Sequence, residues 1–236
     1  MGHNLDLINH CFIFKSNGII WFTLTLRRCR ITRNQHIVND MDPKSVAVVL
    51  IDFQNGFCHE ESNTIDDKIS NRKAAFRANE FASAASHLGS SVVYTKQILD
   101  PDFLSPRQRE WAVTENICPK GSWQSELFLE PVTGATVVTK YRYDIWQSVE
   151  FHKFIEMVKP DGFVFAGVEL CCCVLYAVLG ADERGFRYSV PLELVSGIDS
   201  GNETYNKAVR EYLKLVYNAP DTADEIIKAW EISQKR

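Results

Sequence analysis

The sequence lacks the features that mark several large classes of protein. Basic residues are not in excess, because 26 Lys and Arg stand against 30 Asp and Glu for a net charge of −4, and this balance gives no electrostatic footprint for nucleic acid. The longest apolar stretch near the N-terminus, Ile19–Leu26, has eight residues, far fewer than the ~20 that cross a membrane as a helix. Internal repeats and low-complexity tracts are also missing. We therefore expect no nucleic-acid partner and no membrane partner.

Cysteine is present, but not in a pattern that predicts disulfides or a metal site. The count is odd at seven, three cysteines are consecutive at residues 171–173, and neither a C-x-x-C pair nor a Cys/His set at zinc spacing occurs. The sequence therefore predicts free thiols in a reducing compartment, and so a cytoplasmic protein. Because His59, His87 and His152 show no two-histidine spacing, we predict neither a catalytic metal nor a cofactor.

From residue 41 onward, short β-branched runs alternate with helical patterns. The predicted strands are Val46–Asp52, Val92–Lys96, Thr136–Lys140, Phe163–Gly167 and Arg187–Leu192. The predicted helices are Asn71–Leu88, Ser148–Val158, Cys172–Arg184, Thr204–Val216 and Ala223–Trp230. Strands that read as unbroken apolar runs and alternate with helices indicate a parallel sheet covered on both faces. The predicted fold class is therefore α/β with three layers.

The first 40 residues do not share this alternation. We predict a poorly ordered N-terminal extension over residues 1–40 and one folded domain over residues 41–236, so that a chain beginning at Met41 keeps its activity and melting temperature. An alternative is a β-hairpin in which Cys11–Phe14 and Ile19–Leu26 are joined through an Asn17-Gly18 turn.

Three chemically active side chains fall at the predicted ends of strands. Asp52 closes the first strand, Lys140 closes the Thr136 strand, and Cys173 opens the helix after the Phe163 strand. Ligands of open α/β sheets bind outside the carboxyl ends of the strands, so we expect one shared site. A thiol at a helix N-terminus beside a cation has a lowered pKa, while Asp52 is suited to move the thiol proton and Lys140 to stabilise negative charge. The combination predicts acyl transfer through a thioester.

Each of these residue types also has an ordinary structural role. A strand-end acid is commonly a helix cap or half of an ion pair, and a strand-end Lys is commonly solvated. A Cys in an apolar helix is commonly a small buried hydrophobic residue, which is the role predicted for Cys171 and Cys172. The case for a site therefore depends on the joint placement at three strand ends.

Three segments resemble the motifs of the isochorismatase-like cysteine hydrolases. They are Val49–Phe57 with its Asp-x-Gln, the strand end Val138–Lys140, and the Gly-Val-x-x-x-x-Cys-Val turn within Phe165–Val174. Their order and spacing agree with the family across residues 45–200. The resemblance implies a Rossmann-like fold with a mostly parallel central sheet flanked by helices, and a homo-oligomer.

The resemblance also implies roles for individual residues. It places a catalytic triad on Asp52, Lys140 and Cys173, and a cis peptide bond between Val168 and Glu169. In the family this bond aims the N–H groups of the residues matching Glu169 and Cys173 at the substrate oxygen. Family members usually have a small residue or Thr at the position of Glu169, so its carboxylate either points away from the site or alters the choice of substrate.

The substrate class is narrowed by two comparisons within the family. Members that hydrolyse nicotinamide resemble one another in an Asp/His/His metal site after the second strand, whereas Tyr94–Pro101 contains no His. Members that cleave the vinyl ether of isochorismate use no thiol nucleophile, so Cys173 favours a C–N bond in a small amide, ureido or carbamoyl compound. The candidate substrate-binding residues are Gln54, Phe57, Tyr141, Tyr143 and Trp146, with Trp111 or Trp123 from the long connection. Each ring also fits packing in the core or at a subunit interface.

The same residues also fit three functions other than an amidohydrolase. The chain fits a Cys-His hydrolase that uses His152 or His59 as base, a vinyl-ether hydrolase of the isochorismate type, or a non-catalytic thiol-bearing module for binding or redox sensing. Release of ammonia from small amides would separate an amidohydrolase from the last of these.

Overall fold

The computed structural model describes residues 15–16, 19–20, 38–62, 68–107, 109–110, 117–196, 203–216 and 222–235. The chain divides into two compact units, Met1–Ile31 and Thr32–Arg236. In the first unit, strand β1 (Lys15–Ser16) pairs antiparallel with β2 (Ile19–Ile20). This antiparallel pair flanks the predicted Asn17-Gly18 turn, but it uses Lys15 and Ser16, which the hairpin alternative placed in the connection. All of Cys11–Phe14 and residues 21–26 of the second predicted strand lie outside the described residues, so the hairpin stays a prediction.

Within the described part of the second unit, six strands form a central sheet. These are β3 (Val46–Ile51), β4 (Ser91–Gln97), β5 (Thr136–Lys140), β6 (Gly162–Val168), β7 (Arg187–Ser189) and β8 (Val195–Ser196). The strand order is β5-β4-β3-β6-β7, with β8 also paired to β6. Each of these pairings is parallel, which confirms the predicted α/β class.

The helices lie between these strands and after them. They are α1 (Asn55–Cys58), α2 (Lys68–His87), α3 (Val149–Val158), α4 (Leu175–Glu183), α5 (Glu203–Val216) and α6 (Ala223–Gln234). A π-helical turn, Leu170–Val174, precedes α4. Strand β7 ends before the predicted limit of Leu192, because Pro191 has no N–H to donate to a strand ladder and leads instead into a 3₁₀ turn.

The alternating side chains of β3 divide the core into two halves. Val46, Val48 and Leu50 pack on the face that carries α2 and α6. Ala47, Val49 and Ile51 belong to the opposite cluster, which carries α3, α4 and α5. All six side chains are buried because both faces of the sheet are covered, as the unbroken apolar run predicts. The result is the expected three-layer arrangement.

A residue just before Met41 packs against the core of the second unit. Val38 is fully buried in the core cluster on the α2 side. Its carbonyl accepts a hydrogen bond of 3.0 Å from Nε1 of Trp230, an α6 side chain that is also fully buried. The second unit begins at Thr32. Val38 therefore packs with the core, and the division into an extension over residues 1–40 and a domain over residues 41–236 stays a prediction.

Among the helices of the described residues, each is too short or too polar to cross a membrane.

Candidate active site

The carboxyl ends of three strands bring Asp52, Lys140 and Cys173 together. Strands β5, β4, β3 and β6 are neighbours in the sheet, so the residues that follow β3 and β6 lie at the same edge as the end of β5. Lys140 Nζ lies 2.7 Å from Asp52 Oδ2 and 3.3 Å from Cys173 Sγ. The exposed fractions of the three residues are 0%, 1% and 5% for Asp52, Lys140 and Cys173. The structure therefore brings the three side chains together in one buried cluster.

The Asp52 carboxylate is oriented by the neighbouring strand β4. Thr95 Oγ1 donates to Asp52 Oδ1 at 2.5 Å and accepts from the Asp52 N–H at 3.1 Å. Asp52 itself has a φ of 56°, a left-handed conformation that is uncommon outside glycine and is concentrated at functional sites. The Asp52 N–H fixes the Thr95 hydroxyl, which in turn holds Oδ1 of the carboxylate, while Oδ2 faces Lys140.

Lys140 is surrounded by acceptors. Besides Asp52 and Cys173, its Nζ contacts Gln97 Oε1 at 2.7 Å and the carbonyl oxygen of Arg142 at 3.2 Å. Burial by itself lowers the pKa of Lys140, but the charge of the Asp52 carboxylate beside it raises the pKa, and the net pKa is above the ordinary value. The side chain is therefore an ammonium group at neutral pH.

The pKa of Cys173 moves in the opposite direction from the one expected for a thiol beside a cation. Burial raises it above the ordinary value, and the Lys140 ammonium, which lowers it, does not compensate. The charge of Asp52 and a hydrogen bond to its carboxylate raise it further. The prediction of a lowered pKa is wrong because it weighed the cation and the helix N-terminus without the desolvation of a buried sulfur. The free protein holds Cys173 as a thiol next to a carboxylate.

The turn between β6 and α4 positions Cys173. The peptide bond between Val168 and Glu169 is cis, at the position that the family resemblance implies. Gly167 has a φ of 145°, and a Cβ there would lie 2.4 Å from the Ile51 carbonyl oxygen, so a larger residue does not fit. The Glu169 carbonyl accepts from the N–H groups of Cys172 and Val174 at 3.1 and 3.2 Å. The assignment of the Glu169 and Cys173 N–H groups as oxyanion donors stays a prediction.

Cys171 and Cys172 differ from the buried hydrophobic residues that were expected. Both are partly exposed, unlike Cys173. A hydrogen bond from Cys172 lowers the pKa of Cys171 to about 7, against the opposing effect of burial. Both lie in the π-helical turn Leu170–Val174, which the helical period does not predict, and Cys171 still packs against the core cluster on the α4 side.

The side chain of Gln54, a predicted substrate-binding residue, forms hydrogen bonds to main-chain groups instead. Its Nε2 donates to the carbonyl groups of Gln97 and Ser125 at 3.1 and 2.8 Å, and its Oε1 accepts from the Gln97 N–H at 2.8 Å. Gln54 is fully buried. The side chain therefore joins the end of β4 to the long connection and fixes the backbone from which the Gln97 side chain reaches Lys140.

Two of the predicted aromatic residues belong to the core. Trp146 is buried, its Nε1 donates to the Ala177 carbonyl at 3.0 Å, and its ring stacks on Phe186 at 5.7 Å between centroids. Phe57 is buried in the cluster on the α2 side. A 3₁₀ turn over residues 145–147 directs Trp146 inward, so closeness to Lys140 in sequence does not place it in the pocket. Both assignments are corrected to core packing.

The remaining predicted aromatic residues lie nearer the surface. Tyr141 stacks on Phe103, with centroids 3.9 Å apart, and both line a cavity of about 440 Å³ that also touches Lys140. Tyr143 is 41% exposed, and Trp123 makes an edge contact with His59 at 4.7 Å. Trp111 lies outside the described residues. Tyr141 is therefore the predicted ring whose position next to Lys140 fits a pocket wall.

The histidines make local contacts. His59 Nδ1 accepts from the Glu61 N–H at 3.2 Å, and His152 Nε2 lies 2.7 Å from the Trp146 carbonyl oxygen. Among the hydrogen bonds of the described residues, Cys173 is joined to Lys140 and Asp52 rather than to either ring. This geometry does not favour the Cys-His alternative.

Sequence reasoning missed Thr95 and Gln97, which complete the surroundings of the site. Both lie at the carboxyl end of β4, the strand between β3 and β5. The signal was available, because a strand between two that carry site residues also ends at the site.

The protein is a three-layer α/β protein with a buried cluster of polar side chains around a cysteine. The chain belongs to the isochorismatase family, a family of hydrolases, because the family model of the isochorismatase domain matches residues 46–219. Comparison with the curated proteins gives no match.

Solved structures share the fold at low sequence identity. A cysteine hydrolase from Pseudomonas syringae superposes with a TM-score of 0.71 at 16% identity, covering 82% of this chain and 96% of the other. N-carbamoylsarcosine amidase from Thermoplasma acidophilum gives 0.62 at 23% identity, covering 76% and 97%. Nicotinamidase from Bacillus subtilis gives 0.60 at 18%, covering 74% and 97%. At these low identities the comparisons show the shared fold and do not identify a substrate.

Proposed function

We propose that the protein is a cysteine hydrolase that cleaves a C–N bond of a small amide, ureido or carbamoyl compound. One observation carries the proposal: Lys140 Nζ lies 2.7 Å from Asp52 Oδ2 and 3.3 Å from Cys173 Sγ in a closed site. A nucleophile, a base and a cation at hydrogen-bond distance are the groups that acyl transfer requires. The structural neighbours named as an N-carbamoylsarcosine amidase and a nicotinamidase support the choice of a C–N bond.

The first half of the proposed reaction forms a thioester. Asp52 accepts the thiol proton while Cys173 Sγ attacks the carbonyl carbon of the substrate. Lys140 and the N–H groups of Glu169 and Cys173 stabilise the negative oxygen that forms. Asp52 then gives its proton to the leaving nitrogen, the C–N bond breaks, and ammonia or an amine departs.

The second half regenerates the thiol. Water attacks the thioester carbon while Asp52 accepts one of its protons, and the C–S bond breaks. The sulfur leaves as a thiolate beside Lys140 and takes the proton back from Asp52. The products are a carboxylic or carbamic acid and the free protein, so protons and electrons balance without an external oxidant or reductant.

The residues at the end of β4 do not fit the Asp/His/His metal site of nicotinamide-hydrolysing members. Gln97, Ile98 and Leu99 occupy this segment together with Asp100. The Asp100 carboxylate pairs with Lys120 Nζ at 2.7 Å and accepts from the Asp102 N–H at 3.1 Å. No imidazole is available there to join it, so the proposed reaction uses no step at such a metal.

Ammonia release from a panel of small amides, ureides and carbamoyl compounds tests the proposal. We expect turnover by the wild type and a loss of about 10³-fold or more in Cys173→Ala. The matched control, Cys172→Ala, should keep turnover within a few-fold. Intact-protein mass after acid quench should show an acyl adduct, and peptide mass mapping should locate it at residue 173. Absence of turnover on every compound would favour a thiol-bearing module, and a Cys172→Ala protein as inactive as Cys173→Ala would place the nucleophile one residue earlier.

The proposed setting of the enzyme is a homo-oligomer in the cytoplasm. Val149 and Met157 on α3 are 68% and 70% exposed, which is compatible with an interface between copies. The described cysteines are free thiols, as a reducing compartment requires. Light scattering coupled to size-exclusion chromatography would give the number of copies, and a monomer would contradict the first part of the proposal.

A further inference from the structure

A cluster of metal-binding side chains lies next to Cys173 but outside the proposed triad. Glu169, Cys171 and Cys172 occupy the turn between β6 and α4, and one ligand atom of each lies within 4.8 Å of the other two. We propose that these three residues bind one thiophilic divalent cation, such as Zn²⁺ or Cd²⁺.

The chemistry of the three ligands selects the class of ion. Two thiolates and one carboxylate suit Zn²⁺ and its heavier congeners, whereas Mg²⁺ and Ca²⁺ take oxygen ligands. Binding forms two metal–sulfur bonds and one metal–oxygen bond, and the thiol protons leave to solvent. No electron is transferred, and a water molecule completes a tetrahedral shell.

The geometry requires a small adjustment. Two sulfur atoms bound to one tetrahedral Zn²⁺ at about 2.3 Å lie about 3.8 Å apart. The ligand atoms of the cluster are within 4.8 Å of one another, so the two sulfurs have to approach each other by about 1 Å at most, and the carboxylate oxygen has to move by slightly more, to reach one tetrahedral ion.

Access distinguishes this cluster from the triad. Cys171 and Cys172 are partly exposed whereas Glu169 is 6% exposed, so an ion would approach from the side of the two cysteines and meet the carboxylate beneath them. Cys173 is 5% exposed, and its sulfur is held by Lys140 Nζ at 3.3 Å. The Lys140 ammonium repels a cation from the Cys173 side. An ion is therefore expected on the outer side of the turn, bound by the two preceding cysteines.

Titration of the full-length protein with Cd²⁺ tests the site. Cys11 and Cys29 are first replaced by Ser, so that thiols of the N-terminal segment do not contribute. We expect one equivalent to bind with a thiolate-to-cadmium charge-transfer band in the ultraviolet. Cys171→Ser and Cys172→Ser should each weaken binding at least tenfold, and Glu169→Gln several-fold. X-ray absorption of the Zn²⁺ form should give two sulfur neighbours at about 2.3 Å.

Cys173→Ser is the matched control, because it removes an adjacent thiol that is outside the proposed site. It should keep the band and the affinity, and circular dichroism should show each variant to be folded. Loss of the band in Cys173→Ser, or equal affinity in the parent and in Cys171→Ser, would overturn the assignment. Failure of ammonia release leaves this result unaffected, because binding is measured without a substrate.

Discussion

The buried pair of Asp52 and Lys140 gives the sharpest test of the site. The two charges are 2.7 Å apart, and the side chains are 0% and 1% exposed. Removing one partner of a buried pair leaves an uncompensated charge and costs about 3–5 kcal/mol. We therefore expect Asp52→Asn and Lys140→Met each to lower the free energy of unfolding by about that amount.

The double variant separates this effect from simple loss of contacts. Asp52→Asn together with Lys140→Met leaves no unpaired charge, so its cost should fall below the sum of the single costs by about 2–3 kcal/mol. Urea denaturation followed by tryptophan fluorescence gives the free energies of unfolding of the wild type and the three variants by linear extrapolation. Single costs below about 1 kcal/mol that add within error would refute the reasoning, because they would mean that water reaches the pair.

The pH dependence of stability provides a second measure of the same pair. The pKa of Lys140 in the folded protein is raised above its ordinary value, about 10.4 in an unfolded chain. Its contribution to stability is therefore complete below that pH and is lost as the pH rises through the folded pKa. The wild type should lose stability in that alkaline range by more than Lys140→Met does, and parallel curves would contradict the assignment.

Two further predictions follow from the structure. Iodoacetamide should alkylate Cys171 before Cys173, with a pH midpoint of about 7 for Cys171. Cys172→Ala should raise this midpoint because the hydrogen bond from Cys172 is lost. Peptide mass mapping measures the alkylation of each cysteine, and an unchanged midpoint in the variant would contradict the role of that hydrogen bond. A chain that begins at Met41 should have a free energy of unfolding about 2–4 kcal/mol lower than one that begins at Thr32, since it lacks the buried Val38 side chain and the hydrogen bond from Trp230 to the Val38 carbonyl. Equal denaturation midpoints of the two chains would show that Val38 contributes nothing to stability.

Much of the fold was predictable because it depends on local patterns. The run Val46–Ile51 is apolar at every position, which predicts a strand buried on both faces, and the limits of β5 agree at both ends. Strand ends in turn predicted that Asp52, Lys140 and Cys173 share an edge. Parallel pairing places all carboxyl ends together, so this inference needs the fold class and not the full strand order.

The parts that sequence reasoning missed depend on tertiary contacts. Gln97 contacts Lys140 because β4 lies between β3 and β5; the parallel class predicts that β4 ends at the same edge, but not which side chain its Gln97 reaches. Trp146 turns inward because a 3₁₀ turn intervenes, and the space beside Gly180 admits its ring, since a Cβ there would lie 2.0 Å from Trp146 Cδ1. Gln54 was predicted from a motif, which identifies a residue without saying what its amide contacts.

The resting proton on Cys173 has a consequence for catalysis under the proposed mechanism. Moving this proton from sulfur to the Asp52 carboxylate leaves the summed charge of Asp52, Lys140 and Cys173 at zero before and after the transfer. Activation then needs no exchange with solvent, so kcat/KM should be level across neutral pH instead of following a thiol titration. A pH-rate profile with a midpoint near 7 would instead match the pKa of Cys171. That outcome would move the reactive sulfur out of the buried site, and the alkylation midpoint measured on the same protein would identify it.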